Sequence, residues 1–251
     1  MGNVVGIVQA RMGSSRLPGK VLMDIAGQPM LWHVVTRARR AVTIDDIVVA
    51  TSTASADDVL VDYCTRYDIT SFRGSEDDVL DRYYQAAKSL GATTVIRITA
   101  DCPLLDPAVI DQIVSYFPSG SYDYVCNTNP PTFPDGLDTE VFSFQALETA
   151  WQQARWQSER EHVTPYIRNH PEMFHLGNVT NSEDLSNLRW TVDEREDLAF
   201  VRGVYGVLDS DQTSMRDILD LLRRRPELRA VNDCFKRNEG LAKSLQEDRL
   251  L

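Results

Sequence analysis

Short apolar runs that alternate with helix-like segments constrain the fold of this chain more than any other feature. Runs rich in β-branched residues lie at residues 4–9, 46–51, 69–72 and 94–99. Apolar side chains at helical spacing follow these runs, as in the segment MLWHVVTRARR after Pro29. Further strands are expected at residues 122–127, 137–142 and 188–192. The alternation predicts an α/β fold, with a mostly parallel central sheet and helices on both faces.

The first apolar run is followed by a loop that carries three cations. Gly13, Pro18 and Gly19 disfavour a helix over most of this loop. The cations are Arg11, Arg16 and Lys20. Cations and free backbone N–H groups at the carboxyl end of a strand are typical of a polyphosphate-binding site. An exposed basic loop is the simpler alternative.

Two common phosphate-binding motifs do not fit this loop. A Walker loop has four residues between its glycines and Ser or Thr after its lysine. Here Gly13 and Gly19 enclose five residues, and Val21 follows Lys20. The GxGxxG motif of dinucleotide-binding folds is also missing after the first run.

The loop sequence ARMGSSRLPGKVL resembles the R-x-x-S-x-R-L-P-x-K signature of the cytidylyltransferases that make CMP-activated sugars. That family includes the CMP-KDO and CMP-sialate synthetases and the spore-coat polysaccharide cytidylyltransferases. The resemblance implies a single-domain, Rossmann-like nucleotide-diphospho-sugar transferase fold over residues 1–208, with a helical C-terminal extension over residues 209–251. It also implies transfer of CMP from CTP to an acidic sugar or related acceptor, with release of pyrophosphate, for surface polysaccharide or glycan biosynthesis.

The resemblance also assigns the nucleotide site. Arg11, Arg16 and Lys20 are expected to act in catalysis by binding the triphosphate. The other expected nucleotide-binding residues are Ala10, Ser14, Arg73, Ser75 and Thr99, with Arg82 as a weaker candidate. Ser75 is also a plausible helix N-cap, with Asp78 three residues later. Thr99 stands where the CMP-KDO synthetases carry a glutamine, which leaves the base preference open.

Two aspartates at strand ends are the candidate metal ligands. Asp101 follows the run at residues 94–99 in the segment ADCP, and Asp193 follows the predicted strand at residues 188–192. Taken alone, Asp101 reads as a turn residue and Asp193 as a helix N-cap. The family has A-D-x-P and V-D-x-x-x-D-L segments at these places, which implies that Asp101 and Asp193 bind Mg²⁺ and that Asp197 caps a helix.

The acceptor site is expected to come from two later segments. Spore-coat members carry a segment similar to PDGLDTEVF, which makes Asp135, Asp138 and Glu140 candidates, although turn and strand-edge roles fit equally. The cluster EREH adds Arg160 and His162, since histidine changes charge near neutral pH. A solvated helix capped by Ser158 and Glu161 is the alternative, and relatives place this segment near the acceptor pocket or the dimer interface.

Composition excludes several other functions. A formal net charge of −11 argues against non-specific nucleic-acid binding. The four cysteines are widely spaced without a CxxC pair, which indicates reduced thiols in a cytoplasmic protein. No apolar stretch approaches a membrane span, and the chain starts with a core strand rather than a signal peptide. We expect CTP and a small anionic acceptor as partners, and a homodimer by analogy with the family.

Rival functions remain open at this point. A sugar-1-phosphate nucleotidyltransferase would need a G-x-G-x-R loop, which this chain lacks. A nucleotide-sugar glycosyltransferase on the same scaffold would need a DxD at a central strand end, but Asp209 and Asp211 lie in a predicted helix connection. A nucleotidyltransferase for a phosphorylated or phosphonate acceptor would need no base, because its acceptor is already anionic. A non-catalytic binding protein is the alternative from another class.

Overall fold

The computed structural model describes residues 2–208, 212–237 and 239–251, without the side chain of Lys243. A seven-stranded sheet forms its central layer, and a separate two-stranded sheet follows the first loop. The strands of the described residues are β1 (Val4–Gln9), β2 (Asp24–Ile25), β3 (Gln28–Pro29), β4 (Asp46–Ser52), β5 (Ser71–Gly74), β6 (Thr94–Thr99), β7 (Tyr124–Cys126), β8 (Glu140–Ser143) and β9 (Leu176–Asn178).

Helices cover the central sheet. The α-helices within the described residues are α1 (Met30–Ala38), α2 (Asp58–Arg66), α3 (Val79–Ser89), α4 (Pro107–Tyr116), α5 (Phe144–Gln153), α6 (Gln157–His162), α7 (Pro165–Asn169), α8 (Arg195–Tyr205), α9 (Met215–Arg224), α10 (Pro226–Arg229) and α11 (Glu239–Gln246). Short 3₁₀ helices occupy Lys20–Leu22, Ser55–Asp57 and Phe117–Gly120. None of the described helices is long and apolar enough to cross a membrane.

Parallel strands form one side of the central sheet. The strand order is β5-β4-β1-β6-β8-β7-β9, and the first four strands are parallel. Strand β8 runs antiparallel to both β6 and β7. The register of β1 and β6 pairs Gln9 with Thr99, so both strands end at the same edge of the sheet. Open α/β sheets bind ligands at this edge.

Apolar side chains are buried on both faces of the sheet. In β1, Val5 and Ile7 belong to one core cluster and Val8 to the other. Leu80 of α3 and Leu147 of α5 pack in the cluster of Val5, whereas α1, α4 and α8 cover the opposite face. Burial on both faces explains why these strands are continuous apolar runs in the sequence. The predicted α/β fold is therefore confirmed.

The segment at residues 188–192 was expected to be a strand, and this prediction is wrong. Its backbone pairs with loops rather than with a sheet strand. Trp190 N donates to Asp135 O at 2.6 Å, and Val192 N donates to Asp101 O at 2.8 Å. Trp190 and Val192 are buried, so burial and not strand pairing produces the apolar pattern.

Two expected N-caps are also wrong. Asp78, not Ser75, caps α3 by accepting a hydrogen bond from Asp81 N, while Ser75 Oγ accepts from Asp78 N. At the start of α6, the backbone N–H of Trp156 donates a hydrogen bond to the carboxylate of Glu159. Ser158 lies inside that helix, where its side chain is buried. Serine and acidic residues therefore marked the helix starts correctly but not the capping residue.

The C-terminal part is helical, as expected. Ile218 and Leu221 of α9 are buried in the same core cluster as Val201 of α8. Helix α9 ends at Arg224 and Pro226 is the first residue of the short α10, in agreement with its role as a helix breaker. The DxD of Asp209 and Asp211, next to the expected boundary at residue 208, lies outside the described residues. That boundary stays a prediction.

Candidate active site

The loop after β1 folds back on its own backbone. Ser14 N and Gly19 N both donate to Met12 O, at 3.0 and 2.9 Å. Gly19 has a φ of 72°, a left-handed conformation that glycine adopts without strain. The buried side chain of Leu17 fixes the middle of the loop. As a result, Lys20 enters the protein interior instead of facing solvent.

Asp57 anchors this loop, and the sequence did not single it out. Its buried carboxylate accepts hydrogen bonds from Met12 N at 2.7 Å and from Ser52 N at 3.2 Å. The loop after β1 is thereby tied to the end of β4. In the sequence Asp57 looks like an ordinary acid at a helix start, so no local signal distinguishes it.

Lys20 lies between two aspartates that come from distant parts of the chain. Its Nζ is 2.8 Å from Asp101 Oδ2 and 2.8 Å from Asp193 Oδ1. The third hydrogen bond of the ammonium goes to Val192 O, also at 2.8 Å. Lys20 thus uses all three of its N–H donors on the protein. The structure thus brings together Lys20, which was predicted to bind the triphosphate, and Asp101 and Asp193, which were predicted to bind Mg²⁺.

Electrostatics favour the charged forms of this cluster. Burial opposes the charge of Lys20, but the attraction of Asp101 and Asp193 outweighs it, so the pKa of Lys20 is raised. Burial likewise opposes the charge of Asp101, yet the adjacent Lys20 ammonium lowers the pKa of Asp101 to about 2. Both groups are therefore ionised at neutral pH.

A second group of contacts holds Asp193 in place. Arg189 Nη2 is 3.2 Å from Asp193 Oδ2, and the same guanidinium binds Asp197 through Nε and Nη2 at 2.9 Å. Asp197 also accepts from Asp193 N and Glu194 N at 2.9 Å, which caps α8. The helix-capping role that the resemblance implied for Asp197 is thus present in the geometry.

Arg16 lies at the mouth of the site among carboxylates. Its Nη2 is 2.8 Å from Asp193 Oδ2, and its Nη1 is 3.5 Å from Glu194 Oε1. A third carboxylate, that of Glu239 in α11, lies 3.6 Å from the same Nη1. The cation expected to bind phosphate is therefore held by acids of the chain itself.

A first cleft of about 260 Å³ opens on one side of this cluster. Most of the expected nucleotide-binding residues line it: Ala10, Arg11, Ser14, Arg16, Lys20 and Thr99. Arg11 is exposed and makes no hydrogen bond or ion pair with the described part of the chain. Arg82 lines the cleft as well, and its Nη1 donates to Ser75 O at 2.8 Å.

Arg73 and Ser75 do not reach the first cleft. Arg73 is part of β5, and its guanidinium binds Ser52 O and Ala54 O at 3.0 Å and Asp58 at 2.7 Å. The predicted strand at residues 69–72 ends too early, which misplaced Arg73 beyond the strand. We therefore drop Arg73 and Ser75 as nucleotide ligands and retain Arg82.

A second cleft of about 280 Å³ shares Asp101 and Asp193 with the first. Four of the expected acceptor residues line it: Asp135, Asp138, Glu140 and His162. Arg160 does not line this cleft, because its guanidinium binds Asp78 Oδ2 and, at 2.7 Å, Trp151 O. Arg160 joins α6 to α3, so we drop it as an acceptor ligand.

The carboxylates of the second cleft are paired with arginines. Glu140 accepts from Arg97, Tyr124 and Thr164. Burial opposes the charge of Glu140, but Arg97 and Arg168 lower its pKa to about 2. In contrast, burial and the nearby Asp138 raise the pKa of Asp135 to about 7.

A close approach between two chain segments shapes the floor of the second cleft. Asp135 lies 3.4 Å from Arg189 Nη1, and Gly136 follows it with a φ of 111°. A Cβ at Gly136 would lie 2.7 Å from backbone atoms of Trp190 and Thr191. Only glycine lets the two segments meet this closely.

Several lining residues were not found by sequence reasoning. Arg97 and Arg168 line the second cleft, and Gln9 and Cys102 lie near its junction with the first. Arg97 interrupts the apolar run of β6, and this signal could have revealed it. Arg168 carries no such signal.

Three residues that line the second cleft carry unpartnered polar atoms. Among the described residues, the buried Nε atoms of Arg97 and Arg168 and the buried Nε2 of His162 lack a hydrogen-bond partner. Burial lowers the pKa of His162, although Glu161 opposes this shift. Buried polar groups are normally satisfied, so these three residues are candidates for binding a ligand.

Comparisons with known proteins agree with this geometry. The spore coat polysaccharide biosynthesis protein SpsF of Bacillus subtilis is 34% identical, over 90% of this chain and 97% of that protein. A 3-deoxy-manno-octulosonate cytidylyltransferase of Nitratidesulfovibrio vulgaris is 41% identical, over 46% of each chain. The solved structure of a cytidylyltransferase from Leptospira borgpetersenii is 30% identical with a TM-score of 0.87, over 91% of this chain and 97% of that one.

A family model described as cytidylyltransferase matches residues 5–221. This range includes the loop after β1, both aspartates at Lys20 and both clefts except the C-terminal lining. Residues 222–251 lie beyond the match. The chain therefore belongs to the cytidylyltransferase family.

Proposed function

We propose that this protein transfers CMP from CTP to a small anionic acceptor and releases pyrophosphate. An acidic sugar is the first candidate for this acceptor. One observation carries the proposal: the ammonium of Lys20 joins Asp101 and Asp193, and these two aspartates line both clefts. Two substrates that react with each other need adjoining sites with a shared charged centre. The first cleft would bind the nucleotide and the second the acceptor.

Positive charge in the first cleft suits the triphosphate. The acceptor attacks the α-phosphorus and pyrophosphate leaves in line, so negative charge builds up on phosphate oxygens. Arg11 and Arg82 line the cleft with unused donors and would bind these oxygens, with Ser14 as a further hydrogen-bond donor. Arg16 would exchange its carboxylate partners for phosphate.

Lys20 would have a dual role. It already neutralises Asp101 and Asp193, and its three N–H donors are all in use. Contact with a phosphate oxygen therefore requires Lys20 to give up one protein acceptor. This exchange is favourable when the incoming oxygen carries more charge than the carbonyl of Val192.

Asp101 and Asp193 fit a magnesium site. Hard carboxylate oxygens suit Mg²⁺, which commonly binds one or two carboxylates together with substrate phosphates and waters. The described residues contain no group of three or more His, Cys, Asp or Glu side chains around one point, so the nucleotide would complete the coordination. When bound, the ion would neutralise charge on the phosphates.

The second cleft suits an anionic acceptor. The unpartnered Nε–H donors of Arg97 and Arg168 would bind a carboxylate or phosphate group. The related 3-deoxy-manno-octulosonate cytidylyltransferase supports an acidic sugar. An attacking hydroxyl must lose a proton, and Asp135 and His162 are titratable groups in this cleft that could accept it. A phosphate or phosphonate acceptor would need no base.

A screen for pyrophosphate release tests the proposal. The four nucleoside triphosphates with Mg²⁺ are combined with 3-deoxy-manno-octulosonate, other acidic sugars, and phosphorylated polyols. We expect release only with CTP and only with an acceptor, and its loss in Lys20→Ala but not in the control Lys88→Ala. Preference for UTP or GTP, or transfer from a nucleotide sugar instead, would contradict the proposal.

Two further parts of the proposal need their own tests. SpsF suggests a role in surface polysaccharide or glycan synthesis, which a deletion strain analysed for surface sugars would test. We also propose a homodimer in the cytoplasm. Light scattering on the purified protein and cell fractionation would test these two points.

A further inference from the structure

We propose that residues 232–237 and 239–251 form the outer wall of the second cleft and determine which acceptor enters it. This inference rests on the proposed function, because it takes the second cleft as the acceptor site. The segment lies beyond the part of the chain that the family match covers. It is therefore a place where members with the same chemistry can differ in acceptor.

The first anchor of the segment lies on the same arginine that holds Asp193. Asn232 is buried, and its Nδ2 donates to Arg189 O at 3.0 Å and to Asp197 Oδ1 at 2.8 Å. In return, Arg189 Nη1 donates to Lys236 O at 3.1 Å. The start of the segment is thus fixed relative to the candidate metal ligand.

The second anchor holds Asp138, a residue that lines the acceptor cleft. Arg237 forms an ion pair with Asp138, and its Nη1 donates to Phe133 O at 3.2 Å. The Arg237 side chain is only 13% exposed. Arg237 is therefore a positioning residue, which orients the acidic loop at residues 133–138 without touching the reacting atoms.

Helix α11 borders the second cleft with its first turn. Glu239, Gly240 and Leu241 line this cleft directly. Glu239 also lies 3.6 Å from Arg16, at the mouth of the first cleft. The start of the helix is thus part of the cleft wall.

The end of the segment is attached to the opposite side. Asp248 accepts hydrogen bonds from Ser158 N at 2.9 Å and from Ser158 Oγ at 2.7 Å. Gln157 N donates to Arg249 O at 2.9 Å, so the final residues pair with the start of α6. The same helix carries His162. The segment therefore spans the cleft from the acidic loop to α6.

Alkylation of Cys102 tests the wall without any knowledge of the acceptor. Cys102 lines the second cleft and is 7% exposed, whereas Cys126 is buried in β7 and serves as an internal control. Iodoacetamide labelling is followed at each cysteine by peptide mass spectrometry, in a Cys234→Ser background because Cys234 is exposed. Arg237→Ala should label Cys102 at least about fivefold faster, with Cys126 unchanged.

The control variant is Arg229→Ala. Arg229 is exposed in α10 and pairs only with Asp233, at 3.8 Å, among the described residues. It should leave both labelling rates unchanged. Equal labelling rates at Cys102 in Arg237→Ala and in the parent protein would overturn the proposal that this segment forms the wall. Parallel increases at Cys102 and Cys126 would mean general unfolding and would overturn it too.

Kinetics then test acceptor selection. With any acceptor from the screen that releases pyrophosphate, Arg237→Ala should raise the KM for that acceptor about tenfold or more and the KM for CTP less than about twofold. Equal rises in both KM values, or no rise, would overturn the specificity role. A parent protein that turns over no acceptor would reject the proposed function, and the specificity role with it, whatever the labelling shows.

Discussion

The two clefts that share Asp101 and Asp193 are built in different ways. Half of the residues that line the first cleft come from the segment at residues 9–21, which includes Arg11 and Lys20. The second is assembled from pairs that lie far apart in sequence. Arg97 and Glu140 are 43 residues apart, and Arg237 and Asp138 are 99 residues apart. One stretch of sequence therefore supplies more of the first cleft than of the second.

This difference suggests a division of roles. A triphosphate is the same in every turnover, so a short loop with fixed spacing can recognise it. An acceptor differs between related enzymes, and a cleft built from separate segments can change one wall without disturbing the others. The variants below test whether the two clefts act separately.

The largest effect is expected at the centre that both clefts share. Asp101→Asn removes one carboxylate partner of Lys20 and half of the proposed metal site. We expect pyrophosphate release to fall by about a thousandfold or more. The variant should stay folded by circular dichroism, because Lys20 keeps Asp193 and Val192 O. Asp62→Asn, on the exposed face of α2, is the control. Near-normal turnover in Asp101→Asn would contradict the assignment of Asp101 to a centre shared by both clefts.

The next effect concerns stability of the second cleft. Glu140→Gln leaves Arg97 buried without its carboxylate, and we expect a loss of about 3 kcal/mol in the free energy of unfolding at pH 7. The exposed Glu172→Gln should lose little. Equal losses would mean that Glu140 has no special role in holding the cleft.

The difference in the free energy of unfolding between Glu140→Gln and the parent protein should become smaller in acid. Glu140 has a pKa of about 2 in the fold against an ordinary 4.5, so its stabilisation is complete above pH 4.5 and is lost as the pH falls towards 2. From pH 7 to pH 3 the difference should shrink by about 2 kcal/mol in urea unfolding. A gap that widens in acid would contradict the assigned charge state.

A pair of arginine variants compares the clefts directly. Arg11→Ala should raise the KM for CTP about tenfold or more, and Arg168→Ala should do the same for the acceptor, because each removes a charged donor. Each variant should leave the other KM within about twofold. Arg66→Ala on α2 is the control. Mixed effects in both variants would show that the clefts are not separate.

The smallest effect is expected at Glu239. Glu239→Gln removes a partly exposed carboxylate that competes with phosphate for Arg16, and such ion pairs are worth at most about 1 kcal/mol. Binding of Mg-CTP, measured by calorimetry, should tighten about two- to threefold. Glu247→Gln, in the same segment but without an ion pair among the described residues, should not change it. Weaker binding in Glu239→Gln would mean that this residue supports the nucleotide site.

The sequence predicted more of the first cleft than of the second. The sequence placed the three cations Arg11, Arg16 and Lys20 in one loop after β1, whereas the metal-binding roles of Asp101 and Asp193 came only from the family resemblance. Arg73 was misplaced because the end of β5 was set two residues early, and Arg160 because its partner Asp78 belongs to another helix. Side-chain partners across the fold leave no local pattern.

The apolar segment at residues 188–192 shows a related limit. Its pattern reported burial correctly but not strand pairing, because backbone partners came from loops such as that of Asp135. The C-terminal wall could not be foreseen either, since its contacts depend on Asn232 and Arg237 meeting residues far earlier in the chain. Residue spacing predicts helices and strands, whereas the contacts between them depend on the tertiary fold.

The salt-bridged position of Lys20 has a consequence for the order of events in the cell. Two carboxylates held close together repel each other, and many such sites stay unfolded until an ion from solution arrives. Here the protein supplies its own counter-charge, so the pocket can take its final shape during folding and wait for substrate. Under the proposed function, binding of a magnesium nucleotide would exchange partners around a lysine rather than assemble a new site.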